Sequence, residues 1–236
     1  MSSSCSSPAN GPARYTDAVK GLLRERVIAA VDQFVRTRGW SSTTMAQIAE
    51  AAGVSRQTVY HEFGSRQGLL EAYLTGEIDN ILRQVESAVR RHADSPRDAL
   101  RDAFSLFLRL AEEEPAIQLV VSDKDAPELS QMLTVLGRII GTERIGSLIT
   151  GTWPGTEPAE AALLAESIVR LAISHALLPG SEPAVVPGQI TRLLGPFMDL
   201  VIAAPAPAPE SAPAPESAPG SGPAPGSGSA PGPEPG

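Results

Sequence analysis

Cysteine is almost missing from this chain: Cys5 is the single one. A disulfide framework and a cysteine metal site are thereby excluded, and the composition fits a cytoplasmic setting. Histidine is equally sparse. His61, His92 and His175 make no ligand-spaced motif, so neither a metal nor a cofactor is expected. Nowhere does the chain approach ~18 uninterrupted apolar residues, so no membrane span is expected. The N-terminal residues lack a basic segment followed by an apolar one and do not read as a secretory signal. A nucleophile–base pair and a phosphate-binding loop are also missing, so the chain is not expected to be an enzyme.

Core-forming residues are scarce at both ends. Residues 203–236 hold eleven of the 22 prolines and six of the 21 glycines, and little else but Ala, Ser and Glu. Such a segment cannot offset the entropy cost of folding, and a disordered tail leaning to polyproline II is expected. Residues 1–14 read as a disordered N-terminus. The foldable chain, about Ala13–Ile202, is long enough for a sizeable core.

Charge is uneven. Residues 12–75 carry eight Lys/Arg against six Asp/Glu, whereas residues 76–202 carry eleven against eighteen. A locally positive block on an acidic body can bind nucleic acid through a few placed contacts, although the whole protein is a poor non-specific binder.

Apolar residues recur at three- and four-residue steps nearly throughout, and alternating strand patterns are absent. Leu23, Val27, Ala30, Val31 and Phe34 make one face of a helix over residues 15–38, and Gly39 stops it. Thr44 and Gln47 have capping-box spacing ahead of a short helix with Met45, Ile48, Ala49 and Ala52. Gly53 ends that helix, and Ser55 caps another from Arg56. Ser65 opens a long fourth helix. Later helices are predicted to begin at Pro96, Pro115, Glu128, Pro158 and Gly188, with residues 179–187 as a loop. The fold class is all-α, with about nine helices.

The informative stretch is TMAQIAEAAGVSRQTVYHEF, residues 44–63. Two short helices meet at a glycine, with Ala49 and Ala52 where they touch, as a helix-turn-helix requires. In the second helix Val54, Val59 and Phe63 can face inward, while Arg56, Gln57, Tyr60 and His61 share an outward stripe. Arg can bridge guanine O6/N7, Gln can bridge adenine N6/N7, and Tyr or His can meet phosphate. Thr43, Thr44 and Arg66 lie near helix starts, where N–H groups and cations hold phosphate. Lys20 and Arg24 are further candidates for the minor groove or backbone.

Residues about 20–70 resemble the N-terminal domain of TetR-type transcriptional regulators. Phe34, Gly39-Trp40, Thr43 through Ala49, Ala52 through Ser55, Thr58-Val59-Tyr60, Phe63, Ser65-Arg66 and Leu69-Leu70 carry the resemblance. It implies DNA contact by Thr43, Thr44, Ser55, Arg56, Gln57, Thr58, Tyr60, His61 and Arg66. Two positions depart from the family's habit. Lysine is common where Arg66 stands, and an aromatic or histidine where Glu62 stands; an acid there repels phosphate if it faces DNA.

The resemblance also implies a helix-turn-helix domain over residues 15–66 and an effector-binding and dimerisation domain over residues 67–202. Pocket candidates are Phe104, Phe107, Leu108, Gln118, Leu119, Arg138, Ile139 and Trp153, with Ile140, Arg144 and His175 also placed among apolar runs. Interface candidates on the last two helices are Leu164, Ile168, Leu171, His175, Leu193, Phe197 and Val201. Glu112–Glu114 reads as a solvated helix end. The implied function is a transcriptional regulator, a repressor that leaves a palindromic double-stranded DNA operator when a small-molecule effector binds its homodimer. The rival reading is a protein-interaction module whose helix-turn-helix no longer binds DNA.

Overall fold

The computed structural model describes residues 12–122, 127–178, 180 and 182–203. Among these residues there are nine helices and no strand, in agreement with the expected fold class. They are α1 (Pro12–Arg38), α2 (Met45–Ala52), α3 (Arg56–Phe63), α4 (Arg66–Arg91), α5 (Pro96–Glu113), α6 (Pro115–Ser122), α7 (Pro127–Thr152), α8 (Pro158–Leu177) and α9 (Val186–Ala203). The expected disorder of residues 1–14 and 203–236 falls mostly outside the described residues. Helix α1 nevertheless begins at Pro12, before the expected start at Tyr15.

Local chemistry sets most boundaries. The Thr44 hydroxyl accepts the Gln47 N–H, and the Gln47 side chain accepts the Thr44 N–H at 2.9 Å, which completes a capping box at α2. Ser55 accepts the Thr58 N–H at 3.0 Å to open α3, and Ser65 accepts the Gly68 N–H at 3.0 Å to open α4. Proline stands in the first turn of α5 and α8, where its missing N–H costs nothing. Helix α9 also starts earlier than expected, because Pro187 sits in its first turn instead of ending the loop before it.

Around α1–α4 the fully buried side chains are Val27, Val31, Trp40, Ile48, Val59, Leu69, Leu70, Tyr73 and Leu74. All four helices contribute to this one cluster, so α2 and α3 are clamped between α1 and the start of α4. Helix α4 then continues into the second group, where it packs on α5 and α7. Helices α7 and α8 pack closely: a Cβ on Gly141 would lie 3.2 Å from Val169. Helix α9 lies along α5, where Arg97 forks onto Asp199.

Candidate functional site

Helices α2 and α3 are each eight residues long and joined at Gly53. Gly53 has φ +67°, a left-handed conformation that side chains resist, and its N–H closes on the Glu50 carbonyl at 3.0 Å. Val59 and Phe63 anchor the inner side of α3. That leaves Arg56, Gln57, Tyr60 and His61 exposed together on its outer side. The Arg56 guanidinium lies 5.3 Å from the Tyr60 ring centre and donates to the Tyr60 hydroxyl at 3.4 Å. This pairing pre-orders two long side chains on the face that the sequence pointed outward. Ser55 and Thr58 are one hydrogen bond apart, at 2.7 Å between their hydroxyls, at the start of the same helix. Thr44 is exposed at the start of α2.

Two expected contacts turn inward instead. Thr43 is 3 % exposed, and its hydroxyl donates to the Gly39 carbonyl at 2.9 Å. Arg66 stacks 4.1 Å over the Trp40 ring, donates to the Trp40 carbonyl at 2.7 Å and reaches Glu128 of α7 at 2.9 Å. Its planar fork suits this role as a lysine would not, because it holds a carbonyl, a carboxylate and an aromatic face at once. Glu62 also faces inward. Arg24 donates to it at 2.8 Å and Lys20 lies 3.5 Å away. Burial works against its charge, but the Arg24 hydrogen bond and the Lys20 charge hold its carboxyl below the ordinary value. Lys20 and Arg24, considered as DNA contacts, are thus drawn toward α3.

A second feature lies between α4, α5, α7 and α8. It is an apolar cavity of about 140 Å³, with Ala116 and Ile117 of α6 and Met198 of α9 completing the wall. Phe104, Phe107 and Trp153 of the candidate pocket set line it. The Trp153 indole donates to the Ala93 carbonyl at 2.7 Å, which fixes the ring at the end of α4. Other expected pocket residues sit elsewhere. Leu108, Gln118 and His175 line a separate hollow of about 170 Å³ near the α8–α9 connection. Leu119 packs on Gly39, 3.7 Å from where a Cβ would stand, because α6 lies against the end of α1. Arg138 and Ile139 are exposed, Ile139 by 52 %. Arg144 donates to Glu86 at 2.7 Å and to Asp79 at 3.1 Å, which ties α7 to α4.

Sequence reasoning missed the cavity's polar end. Glu77 of α4 and Glu114, at the α5–α6 turn, both line it. Glu114 is half-buried and not the solvated helix end expected, because the α5–α6 turn folds it back beneath α4. Burial first, and the adjacent Glu77 charge second, push the Glu114 carboxyl up to about 7. Burial likewise raises Glu77. Behind them Tyr73 donates to Asp32 at 3.1 Å, and Arg36 donates to the same carboxylate at 2.7 Å. The signal available in the sequence was the helical step from Tyr73 to Glu77, which puts an acid on the buried side of α4.

The last two helices divide the expected interface set. Leu164 and Val201 are 0 % and 5 % exposed and belong to this chain's own core. Ile168 lines the cavity, and Leu171, His175 and Phe197 are partly buried. The outward leucines are Leu163, Leu193 and Leu200, exposed by 53 %, 63 % and 71 %. Among the described residues no helix is long and apolar enough to cross a membrane.

Residues 28–73 match the model for bacterial regulatory proteins of the tetR family, and residues 95–196 match a bacterial tetracyclin repressor C-terminal domain. The HTH-type transcriptional regulator AlkX of Mycobacterium tuberculosis is 32 % identical over 188 residues, covering 78 % of this chain and 89 % of the relative. The HTH-type transcriptional activator FasR of Mycolicibacterium smegmatis is 26 % identical, covering 72 % of this chain and 77 % of the relative. The crystal structure of the TetR family repressor AlkX from Dietzia sp. superposes with a TM-score of 0.62 at 30 % identity, covering 76 % of this chain and 96 % of that one. With a helix-turn-helix clamped between α1 and α4 and these relatives over most of its length, the chain belongs to the TetR family of transcriptional regulators.

Proposed function

We propose that this regulator acts as a homodimeric repressor whose two α3 helices enter successive major grooves of a palindromic operator, and that a small molecule in the apolar cavity releases it. The observation that carries the reading is the exposed face of Arg56, Gln57, Tyr60 and His61 on a helix fixed by Val59 and Phe63. Arg56 and Gln57 supply base readout, while Tyr60, His61, Thr44, Ser55 and Thr58 supply phosphate contacts. Thr43 and Arg66 position α2 and α4 and do not touch DNA.

Helix α4 links the two features. Its first turns pack with Trp40 and Val59, and its later residues Ile78, Ile81 and Val85 line the cavity. A ligand that fits one α4 position better than another shifts the spacing of the two reading helices; a ligand with equal affinity for both shifts nothing. The dimer face is built on Leu163, Leu193 and Leu200. Repression and not activation is proposed because the Dietzia relative, at 30 % identity, is a repressor, whereas the activator FasR is 26 % identical. The protein acts in the cytoplasm, with no catalytic role of its own.

Selection of bound DNA from a random pool tests this. A repressor of this kind recovers a palindrome with half-sites about one helical turn apart. Recovery of no shared motif contradicts it and favours a protein-interaction module.

A further inference from the structure

The cavity has one polar end, and that end is acidic. Among the described residues lining it, only Glu77 and Glu114 carry ionisable groups; the rest are apolar or glycine. No Lys, Arg or His lines it. The nearest cation behind the pair, Arg36, is bonded to Asp32, whose other oxygen accepts the Tyr73 hydroxyl. Burial pushes both carboxyls up, and the neighbouring Glu77 charge adds to the rise at Glu114, to about 7, so two full charges side by side are disfavoured here. One donor reaches Glu114, the Ala116 N–H at 3.3 Å. The pair therefore keeps unused acceptor capacity against an apolar space.

We propose that this cavity takes a compact apolar ligand whose head group donates hydrogen bonds, a primary ammonium ahead of an alcohol, and that it rejects a carboxylate of the same chain length. The inference rests on reading the cavity as the effector site. A carboxylate head meets two acids and no donor side chain, whereas an ammonium meets carboxylate oxygens with free acceptor capacity in an apolar site. The volume sets the size. About 140 Å³ is close to cavities that hold a benzene-sized molecule, so a chain of about six carbons fills it without moving the walls.

Thermal shift and titration calorimetry on the full chain test this with hexylamine, hexanol and hexanoate at neutral pH. The expected order of stabilisation is hexylamine, then hexanol, with no shift from hexanoate. Glu114→Gln and Glu77→Gln each weaken hexylamine by about tenfold and bring it level with hexanol. Ala103→Phe, which fills the cavity, removes the shift for both. Hexanoate binding as tightly as hexylamine, or an amine preference that survives both glutamine variants, overturns the head-group assignment and leaves the effector cavity standing. Hexylamine binding unchanged in Ala103→Phe places the amine elsewhere and also overturns it. No binding by any of the three overturns the head-group assignment and the effector reading of the cavity together.

Discussion

Arg24 of α1 donates to Glu62 of α3 at 2.8 Å, and this bond faces away from the side of α3 that carries Arg56 and Gln57. The acid on α3 is therefore tethered to the neighbouring helix. Lys20 adds a second cation to the same carboxylate.

Glu62→Gln tests the tether. Both cations are largely exposed, so the loss of stability is expected to be small, about 0.5–1 kcal/mol by urea unfolding. The effect on DNA is expected to exceed it, because a loosened α3 presents its face less accurately. The sign of the pH dependence follows from the lowered carboxyl. Its contribution is present above the unfolded value near 4 and fades as pH falls through the lower folded value.

Gly53→Ala strains the helix-turn-helix at one point. The new Cβ stands at φ +67° and 2.8 Å from an Arg26 guanidinium nitrogen. The arginine can swing away, but the backbone cannot, so the cost is roughly 1 kcal/mol of folding stability. Chemical denaturation measures it, and specific DNA binding is expected to fall with it.

The Glu77–Glu114 pair gives the opposite pH behaviour to Glu62. Its carboxyls titrate higher in the folded chain than in the unfolded one, Glu114 near 7, so the native state holds more protons between about pH 4.3 and 7. Stability therefore declines as pH rises through that window. Glu114→Gln reduces the decline, leaving the part due to Glu77, and its melting temperature is expected to exceed that of the parent above neutral pH while matching it in acid. Equal pH profiles for the two proteins contradict the pairing. Asp32, Arg36 and Tyr73 remain in place in both.

Leu193→Glu tests the proposed dimer face. Leu193 is 63 % exposed on α9, about two helical turns from Leu200 on the same side. The variant is expected to keep its helicity, lose dimer mass in light scattering and bind a two-half-site operator about tenfold or more weakly.

Local rules made the helix-turn-helix legible in the sequence. Thr44 and Gln47 are three residues apart, Gly53 ends one helix, and Ser55 caps the next; each acts on its own neighbours. The inward turn of Arg66 was not legible, because its partners Trp40 and Glu128 lie 26 and 62 residues away. Glu62 and Arg24 are 38 residues apart for the same reason. The last two helices misled in another way. They are apolar on several sides, so periodicity alone could not say that Leu164 and Val201 face this chain's core while Leu163 and Leu200 face out. Glu114 looked solvated as the last of three acids, and only the α5–α6 turn folds it back beneath α4.

The central claim is that the α3 face reads sequence. Competition binding at moderate salt, with the protein's own upstream DNA against random DNA, tests it most directly. The parent is expected to prefer its own site. Arg56→Ala and Gln57→Ala are each expected to cost about 1–3 kcal/mol of that preference, with non-specific affinity, helicity and dimer mass retained. Equal affinity of the parent for both DNAs, or a preference untouched by both substitutions, would contradict the account.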